Sequence, residues 1–455
     1  MRAADERAGA GGDGRRDRAE HPEGGDRDAR DTGTGTGTDA DSSRSFSDLL
    51  HDRVFAPFFY ANVLSNTGNW FQNVAAGIVV YGLTGSNTAV GAVSILQFTA
   101  TMLLTPVAGR LTDRVDRKRM LLVGQFVAFL GALGLAITVA ALGVDGLPGP
   151  WPVYAATGVI GIGAAIILPS LQAIVPALVR PGDLDRAITL NSMTFNIARG
   201  VGPVLAGSVI AAFGAVWAFG INTLTFVPLL VVLVIITPRG SVTPDDDRAD
   251  DAEGGTTVLD AVRWVRAHPT VGVLLVGTLG VGWTSDPFST LMPAVAEGFG
   301  YGERVVGFLV GAFGLGAALT APASDRIRAR LGRGRVAATG LALASVGLVV
   351  LAVAPVVHVG LVGAAIAGSG FLLGVTSTNT ELQRGIPEEL RGRVMALWSV
   401  AFLGCRPVAA VVDGSIADAT SPSVALGVAA GVAATAATFM FVRRPRGAQI
   451  SGAPD

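Results

Sequence analysis

The chain has 455 residues, half of them hydrophobic and 15 % charged, with a mean hydropathy of +0.52 and a formal net charge of −1. A composition this apolar excludes an ordinary soluble protein of this length and points to an all-α polytopic membrane protein. The one cysteine (Cys405) excludes an internal disulfide, and the one lysine (Lys118) follows Arg117 rather than a glycine-rich run, so no phosphate loop of a nucleotide-driven pump is present.

Residues 1–50 read as a disordered cytoplasmic tail: positions 1–45 are mostly Gly, Asp, Arg and Thr, TGTGTGT is of low complexity, and no secretory signal core occurs. Twelve apolar runs follow, at about 54–83, 88–109, 119–142, 152–178, 186–212, 216–236, 270–295, 303–324, 335–355, 358–380, 393–416 and 422–442. Each is near the ~20 residues that cross a bilayer. They fall into two sets of six, 51–236 and 270–442. Between them lies 237–269, whose TPRGSVTPDDDRADDAEGG is a polar cytoplasmic linker. VLDAVRWVRAH, at its end, is either an amphipathic helix on the inner surface or an extension of the seventh span, with Pro269 arguing for a break. Residues 443–455 form a second cytoplasmic tail.

The turn GRLTDRVDRKRM at 109–120 carries five cations between two apolar runs. Cations favour the cytoplasmic side, so this turn orients every other span. On its side fall Arg180, Arg186, Arg326, Arg328, Arg330, Arg333, Arg335, Arg384, Arg391, Arg393, Arg443, Arg444 and Arg446, whereas the opposite loops supply Arg304 alone. An even number of crossings with both termini inside follows, in the cell inner membrane.

The two sets echo one another. LTDRVDR at 111–117 returns as ASDRIRAR at 323–330, and RPGDLDRAITL at 180–190 as IPEELRGRVMAL at 386–397, with offsets of about 204 to 212 residues. Parallel repeats imply two pseudo-symmetric six-helix bundles with a site between them.

Polar residues in the spans mark that site. Asn62, Asn66, Asn69 and Asn73 lie on one helical stripe, which either lines a substrate cavity or bonds between helices. Gln97 and Gln172 carry the same two readings; Trp70 is assigned to lipid. Arg199 and Arg406 each stand 13 residues into a span, roughly 20 Å deep at 1.5 Å per residue, where a charge is costly and pairs or meets water. Asp286 is the one acid placed deep, either paired with Arg406 or Arg199 or near the outer water; Glu381 and Asp413 are placed at span ends, in the interface. The four scattered histidines and the lack of clustered His, Cys or Ser–His–acid sets predict no metal, no cofactor and no enzyme.

These residues resemble the major facilitator superfamily. Gly109, Leu111, Asp113, Arg114, Arg117 and Lys118 match its signature after the second span, with Asp116 where the pattern has a second glycine. Gly202, Pro203 and Gly207 are similar to the fifth-span motif of its antiporters, with Ala206 replacing one glycine. SNTGNWFQNVAAGIVVYGLTGS and IPEELRGRVMAL look like the branch of enterobactin exporters and secretion-type transporters, over about 50–440.

The resemblance implies the major facilitator fold, alternating access and proton-coupled efflux of a small amphipathic molecule, a siderophore or drug-like compound. The implied partners are that substrate, protons and lipid, with no nucleic acid and a monomeric chain. It also implies a gate at 109–118, with Asp113 capping the start of the eleventh span and Gly109 allowing close helix approach; without it the turn reads as a solvated topology signal. Uniport or import of a metabolite, and a non-transporting membrane sensor, stay open as other classes.

Overall fold

Asp116 opens one helix and shows how local chemistry sets the ends: its side chain accepts from the Arg119 N–H at 2.9 Å, and the helix runs Arg117–Leu142. The computed structural model describes residues 45–112, 114–239, 258–386 and 388–443. All regular structure there is helical. The first elements are α1 (Phe46–Leu49), α2 (Phe55–Thr84), α3 (Asn87–Thr112), α4 (Arg117–Leu142), α5 (Trp151–Leu178), α6 (Leu184–Phe213) and α7 (Ala215–Ile235). Then come α8 (Val258–Ala267), α9 (Pro269–Ser285), α10 (Pro287–Thr290), α11 (Met292–Gly298), α12 (Glu303–Thr320) and α13 (Ser324–Leu331). The last are α14 (Arg333–Ala352), α15 (Val357–Gly385), α16 (Glu388–Ala419) and α17 (Pro422–Val442).

Each predicted apolar run carries a helix, and nine helices among the described residues are long and apolar enough to cross a membrane. Within the seventh run the helix is broken twice, at Asp286 and Leu291, with Pro287 first in the second piece and Pro293 second in the third. The linker helix α8 is separate from α9: His268 leaves helical geometry and Pro269 starts α9. The tail prediction is corrected at its end. Ser45 and Asp48 form a reciprocal capping box on α1, and Leu49 is buried. Residues 1–44, 240–257 and 444–455, where the rest of the tails and most of the linker were placed, lie outside the described residues.

Packing relies on small residues, as expected where lipid competes for apolar contacts. α2 packs on α6 and α7, α5 on α3 and α4, α14 on α15 and α17, and α9 on α15, α16 and α17. Two long seams join early helices to late ones, α6 with α12 and α3 with α16. At the first seam a Cβ on Gly207 would stand 2.6 Å from the Gly307 Cα, so these helices touch through backbone.

Candidate transport cavity

Where α2, α3, α5, α10, α11, α12 and α16 converge, they enclose a cavity of about 360 Å³. One wall is amide-rich: Asn66, Asn69 and Asn73 from α2 and Gln97 from α3 line it. The lining is also aromatic, with Trp70 from α2, Phe98 from α3, Phe288 from α10 and Phe402 from α16. Phe288 stacks on Phe313 with ring centroids 4.2 Å apart, which stiffens that part of the lining from behind. Arg406 is the one charged residue in the lining. Its guanidinium lies over the Phe98 ring, 4.0 Å from the centroid, and Nη2 donates to Ser289 Oγ at 3.2 Å.

The amides of α2 divide between the two roles open to them. Asn62 is buried and absent from the lining: its Nδ2 donates to Asn191 Oδ1 at 3.1 Å and its Oδ1 accepts from Asn66 Nδ2 at 2.9 Å. Buried Gln72 and Ser65 likewise bond outward, accepting from Asn222 Nδ2 at 3.1 Å and Gln125 Nε2 at 2.7 Å. These contacts pin α2 to α4, α6 and α7. Gln172 is exposed and outside the lining, and Trp70, assigned to lipid from the sequence, lines the cavity. Trp70 is held there because α6 approaches it closely; a Cβ on Gly202 would stand 2.6 Å from the Trp70 Cβ.

The deep charges also differ from expectation. Asp286 is fully buried at the break between α9 and α10, where Oδ2 accepts from Thr290 Oγ1 at 3.0 Å. It makes no ion pair with Arg406; the guanidinium is occupied instead by Ser289 and Phe98. Asp413, placed in the interface from the sequence, is also fully buried. The reason is that α16 continues past it to Ala419, while Trp283 of α9 covers it and donates from Nε1 to Oδ1 at 3.2 Å. The Arg199 side chain and Asp113 lie outside the described residues.

In the basic turn, a Cβ on Gly109 would meet nothing within 4 Å among the described residues. Arg114 is exposed, and Arg117 begins α4. Lys118 reaches the end of α7 and donates from Nζ to the Ile236 and Val234 carbonyls at 2.8 and 3.3 Å. Those carbonyls have no partner within their own helix and carry the negative end of its dipole, so Lys118 caps α7. Pro203 interrupts the α6 ladder, and its carbonyl faces Gly307: a Cβ there would stand 2.6 Å away.

Helices long and apolar enough to cross a membrane surround a central, partly polar cavity, the arrangement of a membrane transporter. The chain belongs to the transmembrane secretion effector family, whose model matches residues 44–453. It is 26 % identical over 372 residues to the "Enterobactin exporter EntS" of Salmonella typhimurium (strain LT2), covering 81 % of this chain and 86 % of that one. The protein of that name from Shigella boydii serotype 18 is 28 % identical over 378 residues, with the same coverage. The fold matches the crystal structure of a bacterial homologue of the iron transporter ferroportin in an inward-facing state, with a TM-score of 0.67 at 16 % identity over 88 % of this chain and 99 % of the other.

Proposed function

We propose that this protein is an exporter of the inner membrane that moves a small amphipathic molecule, a siderophore or drug-like compound, outward in exchange for protons. It has twelve crossings in two six-helix bundles, at 51–236 and 270–442, rocks about the central cavity by alternating access, acts as a monomer, and keeps both termini in the cytoplasm. Asn66, Asn69, Asn73 and Gln97 bind the polar groups of the cargo, the aromatic rings take its apolar part, and Asp286 with Arg406 couples its movement to protons. The 109–118 turn closes the cytoplasmic end in the alternate state.

The observation that carries this reading is the cavity itself: about 360 Å³, lined by both amides and aromatic rings, at the place where early and late helices meet. A site of that shape suits an amphipathic ligand and offers no covalent chemistry. The test uses everted vesicles from a strain lacking other pumps, energised with respiratory substrate and offered a panel of siderophores and toxic compounds. At least one compound accumulates inside, a protonophore abolishes the accumulation, and Asn69→Leu reduces it. Net movement in the opposite direction, or accumulation indifferent to the protonophore, overturns the reading.

A further inference from the structure

Two buried carboxylates and the half-buried, cavity-lining Arg406 lie together between α9 and α16. Asp286 and Asp413 are both fully buried. Each has one oxygen satisfied by a donor, from Thr290 and Trp283 respectively. Each has one oxygen, Asp286 Oδ1 and Asp413 Oδ2, that accepts no hydrogen bond. Trp283 stands one turn before Asp286, so the indole that holds Asp413 also places it beside the α9–α10 break. Arg406 stands two turns from Asp413 on α16, and its Ser289 contact reaches the turn that Asp286 begins, where the Ser289 N–H donates to the Asp286 carbonyl at 2.8 Å. Backbones are close here: a Cβ on Gly282 would stand 2.6 Å from the Phe402 carbonyl.

The surroundings leave this cluster with an excess negative charge. The Cys405 thiol beside it is neutral in role, donating to the Phe402 carbonyl at 3.3 Å. α17 contains no charged residue, and α3 has only Arg110 in its last turn. On α15, Glu381 lies 4.0 Å from Arg384 and is part-exposed. Thus one guanidinium stands against two carboxylates in a layer where an uncompensated charge is expensive. A proton meets the deficit at either of the two carboxylate oxygens that accept no hydrogen bond.

We propose that Asp413 is the second carboxylate of the coupling site, and that the Asp286–Asp413–Arg406 cluster holds one exchangeable proton between its two carboxyl groups. This rests on the proton-coupled reading above. It has a substrate-free consequence: removing either carboxylate leaves one anion for one cation, and the proton is no longer retained. Removing the cation leaves two carboxylates that both need protons.

The test is an infrared pH titration of the full-length protein in lipid, reading the carbonyl stretch of buried protonated carboxyl groups. Wild type shows such a band; Asp286→Asn and Asp413→Asn each lose it, Asp413→Glu keeps it at a shifted frequency, and Glu381→Gln leaves it unchanged. Arg406→Gln raises its amplitude about twofold, since two coupled groups then carry protons where one did. A band that disappears in only one of the two Asn variants overturns the shared site while leaving proton coupling through the remaining acid intact. Survival in both variants overturns the shared proton, because the band then comes from carboxyl groups that are protonated independently of one another. Dependence of the band on sodium rather than choline chloride overturns the proton in favour of a metal cation.

Discussion

The α3–α16 seam is built differently at its two ends. Away from the basic turn it is tight: Cβ atoms on Gly91 and Gly414 would stand 2.8 Å from the Ala410 carbonyl and 2.9 Å from the Asn87 carbonyl. Asp418, on the last turn of α16, closes that end with its carboxylate. It accepts from Ser86 Oγ and the Asn87 N–H at 2.6 Å, and from Asn87 Nδ2 and the Thr88 N–H at 3.0 Å. An anion on the first amides of α3 satisfies donors that no helix bonds internally and meets the positive end of the dipole. Beside it, Tyr81 donates to Glu297 at 2.6 Å, joining α2 to α11. At the basic end nothing among the described residues faces Gly109, and Leu103 and Val107 of α3 stand 63 % and 61 % exposed. The comparison teaches that closure here means glycine-spaced backbone contact locked by a carboxylate on a helix start, and that among the described residues one end has it.

The strongest way to break this asymmetry is to add bulk where the helices touch. Gly91→Val drives side-chain atoms into the Ala410 backbone, which cannot move aside as a flexible side chain would. Overpacking of this kind costs about 1–3 kcal/mol. The variant should melt earlier than wild type in lipid, and spin labels on exposed Asp145 and Tyr301, in a Cys405→Ser background, should report a longer distance. Gly109→Val, a matched change at the open end, should leave both readings unchanged in this conformation. Equal effects at both positions would mean that the two ends do not differ as described.

A gentler break removes the lock alone. Asp418→Ala deletes the four hydrogen bonds that the carboxylate accepts at the α3 start but leaves the glycine seam intact. Asp418 is exposed, so solvent screening limits the loss to about 1 kcal/mol, near that of an ordinary helix cap. That is roughly a fivefold shift in the ratio of closed to open conformers, using 1.4 kcal/mol per factor of ten. The same labels measure it as a change in relative peak areas. Asp418→Asn, which keeps one acceptor oxygen, should fall between wild type and the alanine variant.

The capping chemistry is legible in the sequence as a kind of contact: an acid near a span end caps a neighbouring helix. The motif points to Asp113, which lies outside the described residues; the structure shows the same chemistry at Asp418, which sits in no motif. Helix positions were read well because apolar length is a one-dimensional property. Depth was not: Asp413 was counted from the end of an apolar run at 416, whereas α16 continues to Ala419 and α9 covers it. The asparagine stripe shows the same limit. Asn62 and Asn73 share a helix face, yet one bonds Asn191 and the other lines the cavity, since neighbouring helices diverge along α2. Period gives the face; only three-dimensional packing tells where along it the bundle opens.

The charges at the basic end sharpen the comparison by what they hold. Lys118 caps α7, and Arg239 donates to Asp52 at 2.9 Å and to the Leu178 carbonyl at 2.8 Å, all among α2–α7 and their flanks. Arg328 pairs with Asp325 and Arg384 with Glu381, each within one later helix. The described ion pairs at this end thus brace helices of the same set, while Asp418 at the other end ties an early helix to a late one. Lys118→Met keeps the apolar stem and removes the capping charge. It should therefore lower the melting temperature by the equivalent of about 0.3–1 kcal/mol while leaving the Asp145–Tyr301 distance distribution unchanged. A shift in that distribution would show that Lys118 acts across the seam and that the division of labour between the two ends is wrong.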